Sequence, residues 1–183
     1  MTICFTGRRP KNLYGYDKEK YNDLVDYLTK LLEKKYEEGY RTFISGGAQG
    51  FDQLAFWAVN RLKKQGKDIK NIVYIPFKGQ ERTWLGKGLF SKEEYNLMLS
   101  LADEIVVCSD IDVTSCMKYE LTIALHHRNH MMVDNSDLLI GIYPDDSWKD
   151  DCVKGGTAEC LRYANDKHKD ILTFNPFTLE MNV

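Results

Sequence analysis

Short apolar runs alternate with amphipathic helical stretches along the whole chain, and this alternation most narrows what it can fold into. Strand-like runs fall at residues 2–6, 41–45, 71–75, 104–108, 137–142 and 170–174. Between them, helical patterns cover 17–38, 51–64, 91–101, 115–130 and 157–166. The first helix places Tyr21, Leu24, Val25, Leu28, Leu31 and Leu32 on one face, and Gly39 follows as a C-terminal cap. Strict β/α alternation predicts a Rossmann-like, doubly wound α/β fold. Its mostly parallel sheet of about six strands carries helices on both faces. The runs Ile105-Val106-Val107 and 138–142 read as doubly buried parallel strands. A length of 183 residues, with no internal repeat or linker, fits one domain spanning 1–183.

Two glycine pairs stand where a strand hands over to a helix. The first lies in Ser45-Gly46-Gly47-Ala48-Gln49-Gly50-Phe51-Asp52, the second in Lys154-Gly155-Gly156-Thr157-Ala158-Glu159. Glycine lets backbone N–H groups approach a ligand closely, and a helix N-terminus adds unpaired donors and partial positive charge. With strand order 3-2-1-4-5-6, the direction of winding reverses between the first and fourth strands. The loops after strands one, two, four and five then share one crevice. They bring together Gly7-Arg8-Arg9 and residues 46–52, 109–115 and 144–156. Such a crevice suits an anion, and a phosphate-bearing nucleotide derivative above all.

Bulk properties exclude several classes. Net charge is −2, so no global basic field serves nucleic acid. No apolar stretch is long enough to cross a bilayer. The chain opens on a strand-like run, Thr2 to Phe5, and not on a signal peptide. Cys4, Cys108, Cys116, Cys152 and Cys160 are odd in number and scattered, which fits reduced thiols in a cytoplasm better than disulfides or zinc.

Four segments together resemble the SLOG superfamily of Rossmann-like nucleotide-binding proteins, and within it the YpsA-like family of small bacterial and phage proteins. They are Thr6-Gly7-Arg8-Arg9-Pro10, the stretch Ser45 to Asp52, the stretch Arg128 to Asp137 around Asn129, and Gly155 to Ala164. The second is also similar to the glycine motif of DprA DNA-processing proteins. The fourth is similar to the P-G-G-x-G-T-x-x-E motif of LOG phosphoribohydrolases. Here Thr157 directly follows Gly156, and Lys154 stands at the proline position. The resemblance implies the fold, a nucleotide-like ligand and self-association.

The candidate ligand-binding residues are Gly7, Arg8, Arg9, Ser45, Gly46, Gly47, Gln49, Gly50, Asp52, Asn129, Gly155, Gly156, Thr157 and Glu159. Arg8 and Arg9 suit phosphate recognition by a guanidinium fork. Gly46, Gly47 and Gly50 suit either a phosphate cradle or a tight turn. Asp52 suits a ribose contact or a helix cap. Asn129 and Asp134 suit capping, structure or a subunit contact, and the resemblance makes Asn129 a ligand candidate. Glu159 is the one catalytic candidate, and the LOG motif implies that role only for an enzyme. Glycosidic chemistry generally wants a second carboxylate, which the sequence does not place beside it.

His126 and His130 share a helix face, and Asp145, Asp146, Asp150 and Asp151 form an acidic loop with Trp148. Neither group has a full ligand set, so no metal and no cofactor is expected. Lys78, Arg82, Trp84 and Lys87 occupy a long connection that suits a lid or a plain loop. The fourth helix, with Tyr119, Leu121, Leu125 and Met131, is expected to support a homo-oligomer. These residues favour a sensor or sequestering protein for an ADP-ribose-like or other phosphate-bearing nucleotide. The alternatives are a LOG-like nucleotide N-glycosidase and a DprA-like DNA-handling protein.

Overall fold

A computed structural model describes residues 1–84 and 88–182. Six parallel strands form one sheet: β1 (Thr2–Thr6), β2 (Thr42–Ser45), β3 (Lys70–Ile75), β4 (Glu104–Val107), β5 (Leu138–Ile142) and β6 (Asp170–Phe174). The helices are α1 (Lys18–Glu37), α2 (Phe51–Lys64), α3 (Lys92–Leu101), α4 (Lys118–Asp134) and α5 (Gly156–Asp166). Among the described residues no helix is long and apolar enough to cross a membrane.

Local signals fix several boundaries. Asp17 caps α1 by accepting from the Glu19 and Lys20 N–H groups, and Gly39 leaves the helix at φ 98°. Ser91 accepts from the Glu94 N–H at 3.2 Å and opens α3. The start of α4 lies three residues beyond its sequence expectation. Asp112 holds the preceding segment as a turn, accepting from the Thr114 and Cys116 N–H groups. The Glu120 carboxylate then takes the Met117 N–H at 2.7 Å and sets the first helical turn.

The strand order is β4-β3-β2-β1-β5-β6, which corrects the expected 3-2-1-4-5-6. The fourth strand lies outside β3, not beside β1. Asp103 explains this: its N–H donates to the Asn71 carbonyl at 2.9 Å, and its carboxylate accepts from the Asn71 N–H at 2.7 Å. Lys63 on α2 pairs with the same carboxylate. These contacts seat the start of β4 against the start of β3. As an edge strand β4 leaves Ile105 43 % and Val107 37 % exposed, so it is not the doubly buried strand its composition suggests. Winding therefore reverses between β1 and β5. The loop after β4 is tied to the far side of the sheet, where Ser109 Oγ donates to the Pro76 carbonyl at 2.8 Å.

The two faces have separate cores. Ile3, Phe5 and Phe43 meet α1 and α2 through Leu24, Leu28, Ala55 and Val59. Val73 and Ile75 extend that face under α2 and α3 with Phe56, Tyr95 and Met98. On the other face Cys4, Ile44, Ile72 and Leu139 meet Met132 and Val133 of α4 and Cys160, Leu161 and Ala164 of α5. Right-handed crossovers produce this division. Winding outward through β1 to β4 places α1, α2 and α3 on one face, and the return to β5 and β6 places α4 and α5 on the other.

Candidate functional site

A cavity of about 550 Å³ opens at the carboxyl ends of β1 and β5, a size within the usual range for small-ligand sites. Parallel α/β sheets bind ligands at such a reversal of winding. Of the sequence candidates, Gly7, Arg8, Arg9, Asp52, Asn129, Gly155, Gly156 and Thr157 line it. Asn12, His126, Arg128, Tyr143 and Lys154 line it as well.

The second glycine pair faces this space. Gly155 is the N-cap of α5 at φ 133°, and an added Cβ at Gly155 or Gly156 would meet nothing within 4 Å. The first N–H groups of a helix lack intrahelical acceptors. Lys154, Gly155, Gly156, Thr157 and Ala158, which make up this turn, all line the cavity. Thr157 anchors this turn, its hydroxyl donating to the Gly7 carbonyl at 2.9 Å. Arg162, one face down the same helix, donates to the Trp148, Asp150 and Val153 carbonyls and holds the preceding loop in place.

The first glycine segment is arranged differently. Gly7 has Phe51 at 2.5 Å from where its Cβ would be, and Gly50, at φ 97°, lies against the Arg8 carbonyl. The Phe51 N–H donates to that same carbonyl at 3.2 Å. These glycines let the β1 loop lie flat on the first turn of α2. Gly47, at φ 65°, faces Val73 and Met98 on the α3 side of the sheet. Gln49 donates to the Phe90 carbonyl at 2.8 Å, and Ser45 is buried at the end of β2. None of Ser45, Gly46, Gly47, Gln49 and Gly50 lines the cavity.

Gly46 makes room for a residue that sequence reasoning passed over. Arg128 is 4 % exposed, and its guanidinium occupies the space a Cβ at Gly46 would need. Nη1 lies 3.3 Å from Asp52 Oδ2, while Nε has no hydrogen-bond partner among the described residues. Arg9 lines the same cavity as Asp52 and Arg128. Burial pushes the Asp52 carboxyl up, against the opposing pull of Arg128 and Arg9. Burial also pushes Arg9 down. A signal for Arg128 does exist. Ala124, Arg128 and Met132, spaced by four, form the buried stripe of α4, so a cation stands on an apolar face.

At the rim, Arg8 lies over the Tyr143 ring at 4.7 Å, and His126 Nδ1 lies 2.6 Å from Glu159 Oε2. With Nδ1–H directed at the carboxylate, a neutral ring has Nε2 as its acceptor. His130 stacks on Tyr163 at 3.7 Å, and the Tyr163 hydroxyl donates to Asp134. The acidic loop is used locally. Asp145 and Asp150 accept backbone N–H groups, Asp146 pairs with Lys149, and Asp151 pairs with Arg162. Among the described residues no cluster of three or more His, Cys, Asp or Glu could hold a metal. Trp84 packs edge-on against Tyr95 at 5.0 Å, with Arg9 6.0 Å from its ring, and Lys87 lies outside the described residues.

The chain is 38 % identical over 145 residues to the uncharacterized SPbeta prophage-derived protein YoqJ of Bacillus subtilis, covering 77 % of each chain. It is 28 % identical over 148 residues to UPF0398 proteins of Bacillus cereus and Bacillus thuringiensis, covering 79 % of this chain and 74 % of theirs. The model of the YspA SLOG family matches residues 3–179, and with a match of that extent the chain belongs to this family.

Proposed function

We propose that the chain, as one domain, binds a phosphate-bearing nucleotide derivative of the ADP-ribose type and acts as a sensor or sequestering protein. Family membership and the Rossmann-like fold suggest a nucleotide-related role. The observation that carries the finer reading is the open N-terminus of α5. Gly155 and Gly156 put no side chain at that terminus, beside a cavity that Arg8, Arg9, Arg128 and Lys154 also line. A net charge of −2 over the whole chain argues against a nucleic-acid partner. Five free cysteines suit a reducing cytoplasm. Self-association has support in the exposed Met117, Tyr119 and Ile123 around the start of α4. Native mass spectrometry of freshly purified protein tests the binding reading. A retained nucleotide mass supports it, and apo protein that stays apo after incubation with millimolar ADP-ribose rejects it.

One contact favours a second reading, hydrolysis of the nucleotide. The His126–Glu159 pair presents an imidazole oriented by a carboxylate at the cavity wall, an arrangement suited to general base work. In this reading His126 Nε2 takes a proton from a water that attacks the ribose C1′, and Glu159 positions the ring. The C1′–N bond breaks, and the base leaves with a proton returned from the imidazolium or solvent.

A further inference from the structure

We propose that the segment after β6, residues 175–182, is a clasp that fastens two walls of the cavity to each other and so sets where Arg8 and Tyr143 stand in it. The clasp is a property of the fold, and only its effect on affinity rests on the nucleotide reading above.

The segment is closed on itself. The Asn175 N–H donates to the Glu180 carbonyl and the Leu179 N–H to the Asn175 carbonyl, both at 2.8 Å. Asn175 Oδ1 takes the Phe177 N–H at 2.8 Å, as an Asx turn does. Leu179 sits at φ 59°, a left-handed conformation that a leucine keeps only under constraint. Met181 then bridges Phe174 antiparallel, and the Asn182 N–H returns to the Thr173 carbonyl at 2.9 Å. A tie to any part of this segment therefore pulls on one small folded body.

Neighbouring residues of that body reach different walls. The carbonyl of buried Pro176 accepts the Tyr14 hydroxyl, and Phe177 meets the Tyr14 ring edge-on at 5.8 Å. Tyr14 belongs to the turn that opens at Pro10, whose carbonyl takes the Leu13 and Gly15 N–H groups. Arg8, Arg9 and Asn12, in and just before this turn, form one wall. On the other wall, Asn175 Nδ2 donates to the Pro144 carbonyl at 2.8 Å and Asn182 Nδ2 to the Tyr143 carbonyl at 3.0 Å. The Tyr143 N–H is spent on the Phe174 carbonyl at 3.1 Å. The walls thus meet twice: inside the cavity, where Arg8 lies over the Tyr143 ring, and behind it, through residues 175–182. A cation on an aromatic ring is a weak fastening where water reaches it. The hydrogen-bonded rear contact is the stronger of the two, and cutting it at one wall loosens its hold on the other.

Hydrogen–deuterium exchange of wild type, Tyr14→Phe and Asn175→Ser tests the clasp. Tyr14→Phe keeps the ring and removes the hydroxyl. Asn175→Ser keeps an acceptor for the Phe177 N–H and is too short to reach Pro144. In either variant, exchange should quicken about three- to tenfold at both walls, residues 10–16 and 142–146, the size expected for one lost hydrogen bond. Exchange in α2 and α3 should stay as in wild type. Quickening confined to the wall whose tie was cut would overturn the clasp, since separate fastenings behave that way. So would uniform quickening along the chain, which marks lost global stability. Calorimetry with ADP-ribose reads the cavity: both variants should bind it about threefold or more weakly than wild type, through lost preorganisation. Full affinity with loosened walls would overturn the positioning of Arg8 and Tyr143. Wild type that binds no ADP-ribose would reject the nucleotide reading, and the exchange pattern would still decide the clasp.

Discussion

Arg128 and Gly46 share one space: the guanidinium lies where any side chain at residue 46 would begin. Gly46→Ala should therefore expel a buried cation from its place beside Asp52. Breaking a buried pair typically costs about 3–5 kcal/mol. Urea denaturation should show a marked fall in midpoint, and an unchanged midpoint would mean that Arg128 has another seat.

Gly47 and Gly156 should separate folding from binding. Gly47 is at φ 65°, and an added Cβ there would lie 3.1 Å from Val73 and 3.2 Å from Met98. Gly47→Val should lower stability by about 1–3 kcal/mol through backbone strain and crowding. At Gly156 a Cβ meets nothing, so Gly156→Val should melt near wild type and lose nucleotide affinity by about tenfold or more. Paired thermal melts and calorimetry decide. Full affinity in Gly156→Val would remove α5 from the ligand's contacts.

The binding and hydrolytic readings part at Glu159. With bound ligand as the functional state, chromatography should detect no free base after incubation with nucleoside monophosphates or ADP-ribose. Glu159→Gln should then lose affinity only modestly. Release by wild type that stops in both Glu159→Gln and His126→Ala would instead establish hydrolysis, because general base assistance is typically worth about a hundredfold or more.

His130 gives a pH dependence with a definite sign. Burial holds its imidazole below the ordinary 6.5, opposed by Glu159 and Asp134. The folded state thus prefers the neutral ring, and the unfolded chain binds the proton first as pH falls. Stability from this group should be present above the usual imidazole range and decline below it. His130→Phe keeps the stack on Tyr163 and should flatten that part of a stability–pH curve. An unaltered slope would assign the dependence elsewhere.

Ile123 is 61 % exposed on α4, beside Tyr119 at 59 %. If this surface supports self-association, Ile123→Asp should reduce the mass seen by light scattering to that of the monomer, with the melt unchanged. A wild-type monomer at tens of micromolar would exclude it.

The sequence made the alternation, the element ends and the second glycine pair readable, because hydrophobic period, caps and glycines are local signals. The bounds expected for α2 and β6, 51–64 and 170–174, are those observed. Strand order was not readable in the same way. It turned on Asp103 reaching Asn71 across 32 residues, and nothing in either residue's neighbourhood marks that pairing. The same limit applied to the site. His126 and Glu159, 33 positions apart, meet only because α4 returns across the sheet to lie on α5. Asn129 reaches the cavity by the same return. Gly46 read as a ligand glycine because a missing Cβ looks the same whether a phosphate or an arginine fills the gap.

The hydrogen bond from Thr157 to Gly7 joins residues 150 positions apart. On the ribosome, the amino-terminal half of the crevice emerges long before α5 exists to complete it. A nascent chain can lay down β1, β2 and the α2 turn, yet the cavity is not closed until β5 zips onto β1 and α5 docks. On the proposed function, a nucleotide bound there would add to the tie between Gly7 and Thr157 only once both halves are in place.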